Sequence, residues 1–155
     1  MVPVQRLTHV GIAVSDLERA LRFYRDCLGF RLEHELHVEG EPSDTLLGLR
    51  GVNLDAVYLV RDGVRIELLR FASPPAPPQR ARTMHEPGLT HLSFRVKDLD
   101  ATLAALHAAG ERVLEETIVR IPHVQAAACF VVDPDGQLIE LVQSPGDPAA
   151  PPGAH

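Results

Sequence analysis

An eleven-residue stretch near the start of the chain has an echo 82 positions later, with six residues identical. Leu7-Thr8-His9-Val10-Gly11-Ile12-Ala13-Val14-Ser15-Asp16-Leu17 is answered by Leu89-Thr90-His91-Leu92-Ser93-Phe94-Arg95-Val96-Lys97-Asp98-Leu99, and Leu21 and Leu103 keep the spacing. A second echo lies further on. Asp62-Gly63-Val64-Arg65-Ile66-Glu67-Leu68 matches Asp135-Gly136-Gln137-Leu138-Ile139-Glu140-Leu141 at a spacing of 73. Self-similarity at a fixed spacing marks a duplicated architecture. Each copy carries one histidine near its beginning and one glutamate near its end. The first copy is nine residues longer between the two echoes, which fits an insertion over residues 42–50.

The pattern within each copy predicts β-α-β-β-β. Residues 6–14 alternate as a strand, with Val10, Ile12 and Val14 on one face and Leu7, His9, Gly11 and Ala13 on the other. Ser15 with Glu18 fits a capping box, so a helix is expected from there. Leu17, Ala20, Leu21, Tyr24 and Leu28 give it an apolar face, with Phe23 and Tyr24 read as packing residues, and Gly29 ends it. A strand is expected over 30–39, then the helical or looped insertion at 42–50. Strands over 53–61 and 64–71 follow, joined at Asp62-Gly63, a strong hairpin signal. The second copy gives a strand over 89–96, a helix over 98–109, strands over 112–120 and 125–132, a turn at 133–136 and a strand over 137–143.

The expected organisation is a first module over 1–71, a Pro-rich linker over 72–88, a second module over 89–143 and a disordered tail over 144–155. Composition narrows the function. A net charge of −6 argues against a general nucleic-acid binder, which needs a basic face. No apolar run approaches the ~20 residues that span a bilayer, and the first residues lack the apolar core of a signal peptide. Cys27 and Cys129 form no disulfide framework or metal-type spacing, so they read as reduced core residues of a cytoplasmic protein.

Strand alternation makes four polar residues informative. His9 points away from Val10, Ile12 and Val14, and His91 from Leu92, Phe94 and Val96. Glu67 opposes Ile66 and Leu68, and Glu140 opposes Ile139 and Leu141. The apolar neighbours are expected to pack under a helix, leaving the two imidazoles and two carboxylates on the opposite face. Such a set can bind a divalent metal.

These motifs resemble the vicinal oxygen chelate superfamily, which includes glyoxalase I, methylmalonyl-CoA epimerase, extradiol dioxygenases and the fosfomycin and bleomycin resistance proteins. The resemblance covers residues 6–143. It rests on the segment 7–17, Phe23-Tyr24, Leu28-Gly29-Phe30, His91, and Asp133-Pro134-Asp135-Gly136 leading to Glu140. It implies an α+β fold of two tandem βαβββ modules forming a curved, cup-like mixed sheet. It places the metal ligands at His9, Glu67, His91 and Glu140, around one divalent ion: Ni, Zn, Co, Mn or Fe.

The four-ligand set is closer to glyoxalase I than to a ring-cleaving dioxygenase, whose two-His, one-carboxylate site leaves room for oxygen. The implied chemistry is proton abstraction next to a carbonyl with a metal-stabilised enediolate, in a lyase or isomerase. By the same resemblance Glu140 is the first candidate for the base and Glu67 the second. The implied substrate is a small carbonyl compound or its thiol adduct, and a homodimer is the implied assembly. An antibiotic-sequestering binding protein and an Fe(II) extradiol dioxygenase are the alternatives.

Arg65, Arg95 and His123 are candidate substrate contacts; His34 and His37 are weaker ones. No cationic pair for glutathione carboxylates stands out beyond Arg65 and Arg95. Arg80-Ala81-Arg82-Thr83-Met84-His85 stands where a Lys- and Gly-rich segment marks the methylmalonyl-CoA epimerases.

Overall fold

A computed structural model of the chain describes residues 2–77, 80 and 83–152. Pro78, Gln79, Ala81 and Arg82 of the expected linker, and residues 153–155 of the expected tail, lie outside the described residues. The chain divides into two compact units, Met1–Gln79 and Arg80–His155.

The first unit holds β1 (Val10–Ala13), α1 (Leu17–Leu21, continued as a π-helical turn over Arg22–Cys27), β2 (Arg31–Glu39), α2 (Glu41–Leu47), β3 (Asn53–Arg61) and β4 (Val64–Ser73). Its four strands form one sheet in the order β1-β4-β3-β2, with β1 parallel to β4 and the other pairs antiparallel. The second unit holds β5 (His91–Arg95), α3 (Leu99–Ala108), β6 (Arg112–Ile121), a short 3₁₀ turn at Pro122–Val124, β7 (Ala126–Val132) and β8 (Leu138–Gln143). Its sheet has the equivalent order, β5-β8-β7-β6. Each unit is thus a βαβββ module with a four-stranded mixed sheet, as the repeat predicts. The insertion is α2, which buries none of its residues; the second unit has only the short 3₁₀ turn at the equivalent place among its described residues.

Alternation sets the core. In β4, Ile66 and Leu68 are buried while Arg65, Glu67 and Leu69 are half-buried on the other face; β8 repeats this with Ile139 and Leu141 against Glu140. α1 covers the apolar face of the first sheet. Phe23 and Tyr24 are adjacent in sequence yet both fully buried, with their rings edge to face at 5.2 Å. Successive residues of a regular helix point about 100° apart. The π-helical turn, in which the Leu28 N–H reaches back to the Phe23 carbonyl, widens that stretch so that both rings face inward.

Three local expectations are corrected. The first strand starts at Val10 rather than residue 6, and the fifth at His91 rather than 89. Each is an edge strand of its own sheet, and its pairing there covers four or five residues. The helix N-cap is Asp16, not Ser15: its carboxylate accepts the Arg19 N–H, as Asp98 accepts that of Ala101. Asp is the residue that the repeat keeps, whereas Ser15 corresponds to Lys97, which cannot cap. β4 runs two residues past its expected end, because Asn53 of β3 still pairs with Ser73. Of the tail, residues 144–152 run in turns, and Arg95 Nη2 donates to the Pro145 and Asp147 carbonyls.

One ion pair gives the first unit a pH dependence. His37 Nδ1 lies 2.9 Å from Asp55 Oδ1 across the β2–β3 register, with Glu39 at 3.6 Å from Nε2. The Asp55 carboxylate, helped by Glu39, raises the His37 pKa above its ordinary 6.5. A raised folded-state pKa means that the stabilisation is complete below 6.5 and is lost as pH rises through the higher folded value. His37→Gln is therefore expected to lower the urea midpoint at acid pH and to leave it unchanged at alkaline pH. Equal shifts at both ends would remove the ion pair as the cause.

Candidate functional site

β1 and β4 run parallel with Gly11 opposite Glu67, which brings the residue just before β1 close to the middle of β4. His9 Nε2 lies 3.1 Å from Glu67 Oε2. Gly11 matters to this approach, because a Cβ there would sit 3.3 Å from Leu69 Cδ1 and 3.9 Å from Glu67 Oε2. The Thr8 hydroxyl is 3.0 Å from His9 Nδ1. With Nε2 as a lone-pair donor, Nδ1 carries the proton and donates it to Thr8, which fixes tautomer and ring orientation together.

The second unit repeats the pair with other neighbours. His91 Nε2 lies 3.6 Å from Glu140 Oε2, and the Thr90 hydroxyl is 2.9 Å from His91 Nδ1. Ser93, opposite Glu140 in the β5–β8 register, donates its hydroxyl to Glu140 Oε2 at 2.7 Å. On the β3 side of Glu67 stands Tyr58, and on the β7 side of Glu140 stands Phe130. Both rings meet their histidine edge to face, at 5.4 Å for His9 and 5.6 Å for His91. The Tyr58 hydroxyl donates to the Glu67 carboxylate. That bond, with partial burial, pushes the phenol up to about 12, because the bond is lost on deprotonation. The Tyr58 ring also stacks on His34, with centroids 6.3 Å apart.

Each unit therefore pairs the histidine and glutamate that alternation assigned to one face. Among the described residues, no group of three or more His, Cys, Asp or Glu side chains is gathered to hold a metal, so each pair offers two ligands. The donor chemistry of each pair fits two positions of a divalent-ion shell. Bonds of about 2.1 Å put adjacent nitrogen and oxygen ligands about 3.0 Å apart in octahedral geometry. The 3.1 Å pair matches that edge, and the 3.6 Å pair is slightly wider. Glu67 is only 13% exposed, and a carboxylate so covered needs a compensating partner.

The other candidates fall in different places. Arg65 is two residues before Glu67 on the same face. Its guanidinium is tied to Glu33 and donates to the Thr8 carbonyl, next to His9. Hydrogen bonding from the Arg65 guanidinium, helped by its charge, holds the Glu33 carboxyl below its usual value. Arg95 is occupied through Nη2 by the two carbonyls after β8, while its buried Nη1 has no partner among the described residues. His123 is exposed in the 3₁₀ turn between β6 and β7. Tyr58, Ser93, Thr8 and Thr90 escaped the sequence reading. The threonines were within its reach, since a Thr-His pair stands in both echoes.

The sequence pattern that defines the Glyoxalase/Bleomycin resistance protein/Dioxygenase superfamily matches residues 8–130. The chain belongs to this superfamily. It is 34% identical over 143 residues to the Escherichia coli protein YaeR, covering 92% of this chain and 99% of that one. It is 31% identical over 143 residues to an ethylmalonyl-CoA/methylmalonyl-CoA epimerase of Cereibacter sphaeroides, covering 90% and 98%. A probable lactoylglutathione lyase of Synechocystis sp. is 27% identical over 139 residues, covering 89% and 95%. Among solved structures, a glyoxalase family protein from Bacillus cereus superposes with a TM-score of 0.79 at 27% identity, covering 94% of this chain and 97% of that one. Among the described residues, no helix of this superfamily member is long and apolar enough to cross a membrane.

Proposed function

We propose that this superfamily member is a divalent-metal-dependent lyase or isomerase of the glyoxalase I and epimerase type, with His9, Glu67, His91 and Glu140 as the ligand set of one ion. The observation that carries this reading is the doubled pair. In both units an imidazole Nε2 faces a carboxylate oxygen at 3.1 or 3.6 Å while a threonine hydroxyl holds Nδ1. A duplicated imidazole–carboxylate pair with a duplicated orienting hydroxyl is what a metal-ligating histidine needs and what a surface histidine does not. Relatives named as epimerase and lactoylglutathione lyase support the same class.

When bound, the ion supplies Lewis acidity, polarising a substrate carbonyl. The chain supplies the proton transfer. Glu140 takes the proton from the carbon next to the carbonyl, and the C–H electron pair moves into the new C=C bond as charge passes to the carbonyl oxygen. Where the carbon that loses its proton carries a hydroxyl, passage of that hydroxyl proton to the former carbonyl oxygen and return of the abstracted proton to the neighbouring carbon isomerise the substrate; return to the opposite face of the same carbon epimerises it. Arg65, fixed beside His9 by Glu33 and Thr8, offers a cation to an anionic group of the substrate. Arg95 and His123 are proposed as further substrate contacts on sequence position alone.

Protein purified without chelators and loaded with Mn, Co, Ni or Zn is expected to hold close to one ion per four-ligand set. It is also expected to exchange a substrate proton with D2O, read by NMR on the hemithioacetal of methylglyoxal and glutathione and on an α-substituted malonyl-CoA ester. No metal uptake from any of the four, together with no exchange, would overturn the proposal and leave a ligand-sequestering protein as the better reading.

A further inference from the structure

The two imidazole–carboxylate pairs differ in one respect that the repeat does not predict. In the first unit the hydroxyl on the carboxylate comes from β3, as Tyr58, and the β1 position opposite Glu67 is Gly11. In the second unit the β5 position opposite Glu140 is Ser93, which supplies the hydroxyl, and the β7 position is Phe130, which has none. The hydroxyl has changed sides while the carboxylate stays in place. Each carboxylate keeps one hydroxyl donor, and in each unit the strand without the donor presents a residue that cannot give one.

We propose that Ser93 is a positioning residue for Glu140, and that this exchange of hydroxyls makes the two carboxylates unequal. The inference rests on the metal-dependent reading above and deepens it. Tyr58 is the more hindered tether: its ring contacts His9 at 5.4 Å and His34 at 6.3 Å. Glu67, 13% exposed, is fixed by it. Ser93 is a short tether with one rotatable bond. Its hydroxyl bonds the Glu140 oxygen that faces His91, yet Glu140 is 28% exposed and its histidine stands off at 3.6 Å. A carboxylate so held can swing without losing its donor, because the serine hydroxyl follows it. Ser93 thus aims Glu140 and lets it move, whereas Tyr58 keeps Glu67 still.

The test uses Ser93→Ala and Ser93→Thr in the full chain. Ser93 is exposed, so neither change disturbs the core. Removal of a group that orients a ligand costs about 10- to 100-fold in metal affinity or activity. Ser93→Ala is therefore expected to weaken Mn(II) binding, read by chelator competition, about tenfold, and to lower kcat with KM unchanged. Ser93→Thr, which keeps the hydroxyl, is expected to restore both. A second readout needs no metal. In protein carrying ¹³C-labelled glutamate carboxyls, with the Glu140 signal assigned from Glu140→Gln, Ser93→Ala is expected to shift that signal at one fixed pH and Ser93→Thr to leave it near the wild-type position. An unmoved signal in Ser93→Ala, or failure of Ser93→Thr to rescue, overturns the proposal. If the signal moves but the wild type takes up no metal, the tether stands and the metal-dependent reading fails.

Discussion

Glu140→Gln is expected to lower turnover about 10³-fold with most of the metal retained, the size that general base catalysis supplies. Glutamine keeps an oxygen for a metal and for the Ser93 hydroxyl, but its amide cannot accept a proton at neutral pH. Glu67→Gln is expected to act differently. That side chain is more covered, lies 3.1 Å from His9 and is held by a hydroxyl on a hindered ring, so its neutralisation should show first in lost metal. The two variants therefore separate along two axes, metal content per chain and exchange rate per bound metal. Wild-type exchange per metal in Glu140→Gln would remove this side chain as the base. Wild-type exchange in both variants would remove base catalysis by either glutamate.

How much of this was legible in the sequence depends on what kind of contact carries each feature. Alternation around Ile66 and Ile139 assigns the faces of β4 and β8 without any knowledge of neighbouring strands, because the side-chain period of a strand is two. The same rule oriented His9 and His91. Strand ends were less legible: Leu7 and His9 alternate like strand residues, but β1 begins only where β4 is there to pair with it. The π-helical turn leaves no trace in the apolar spacing. It shows only in the Leu28 to Phe23 backbone hydrogen bond and in the joint burial of Phe23 and Tyr24, which are properties of the packed state. The hydroxyls of Tyr58 and Ser93 were hidden for a related reason. Each is an ordinary strand residue until the register places it against a glutamate one strand away. The repeat even drew attention from them, since it highlights what the two copies share, and these two residues are where the copies differ.

That difference at the polar face contrasts with sameness beneath it, which leads to the other large expected effect. Ile66 and Ile139 are equivalent residues of the two repeats, and both are fully buried in a central strand. Ile66 is flanked by Val10 and Leu59, and Ile139 by Leu92 and Val131. Truncation to alanine at either position leaves a cavity that flanking strands cannot close without breaking ladder hydrogen bonds. Such truncations cost about 2–5 kcal/mol, a large share of the 5–15 kcal/mol that a domain typically has. The probes separate the two cases. The chain has no tryptophan, and both tyrosines, Tyr24 and Tyr58, belong to the first unit. Tyrosine fluorescence therefore follows the first unit during urea unfolding, and far-ultraviolet circular dichroism follows both. Ile66→Ala is expected to move the tyrosine transition to lower urea, and Ile139→Ala to move the dichroism transition by a comparable free energy. A loss below about 0.5 kcal/mol at either position, the level of an ordinary surface change, would mean that this isoleucine does not anchor its sheet. The glutamate beside it would then lose the rigid floor on which the proposed site depends.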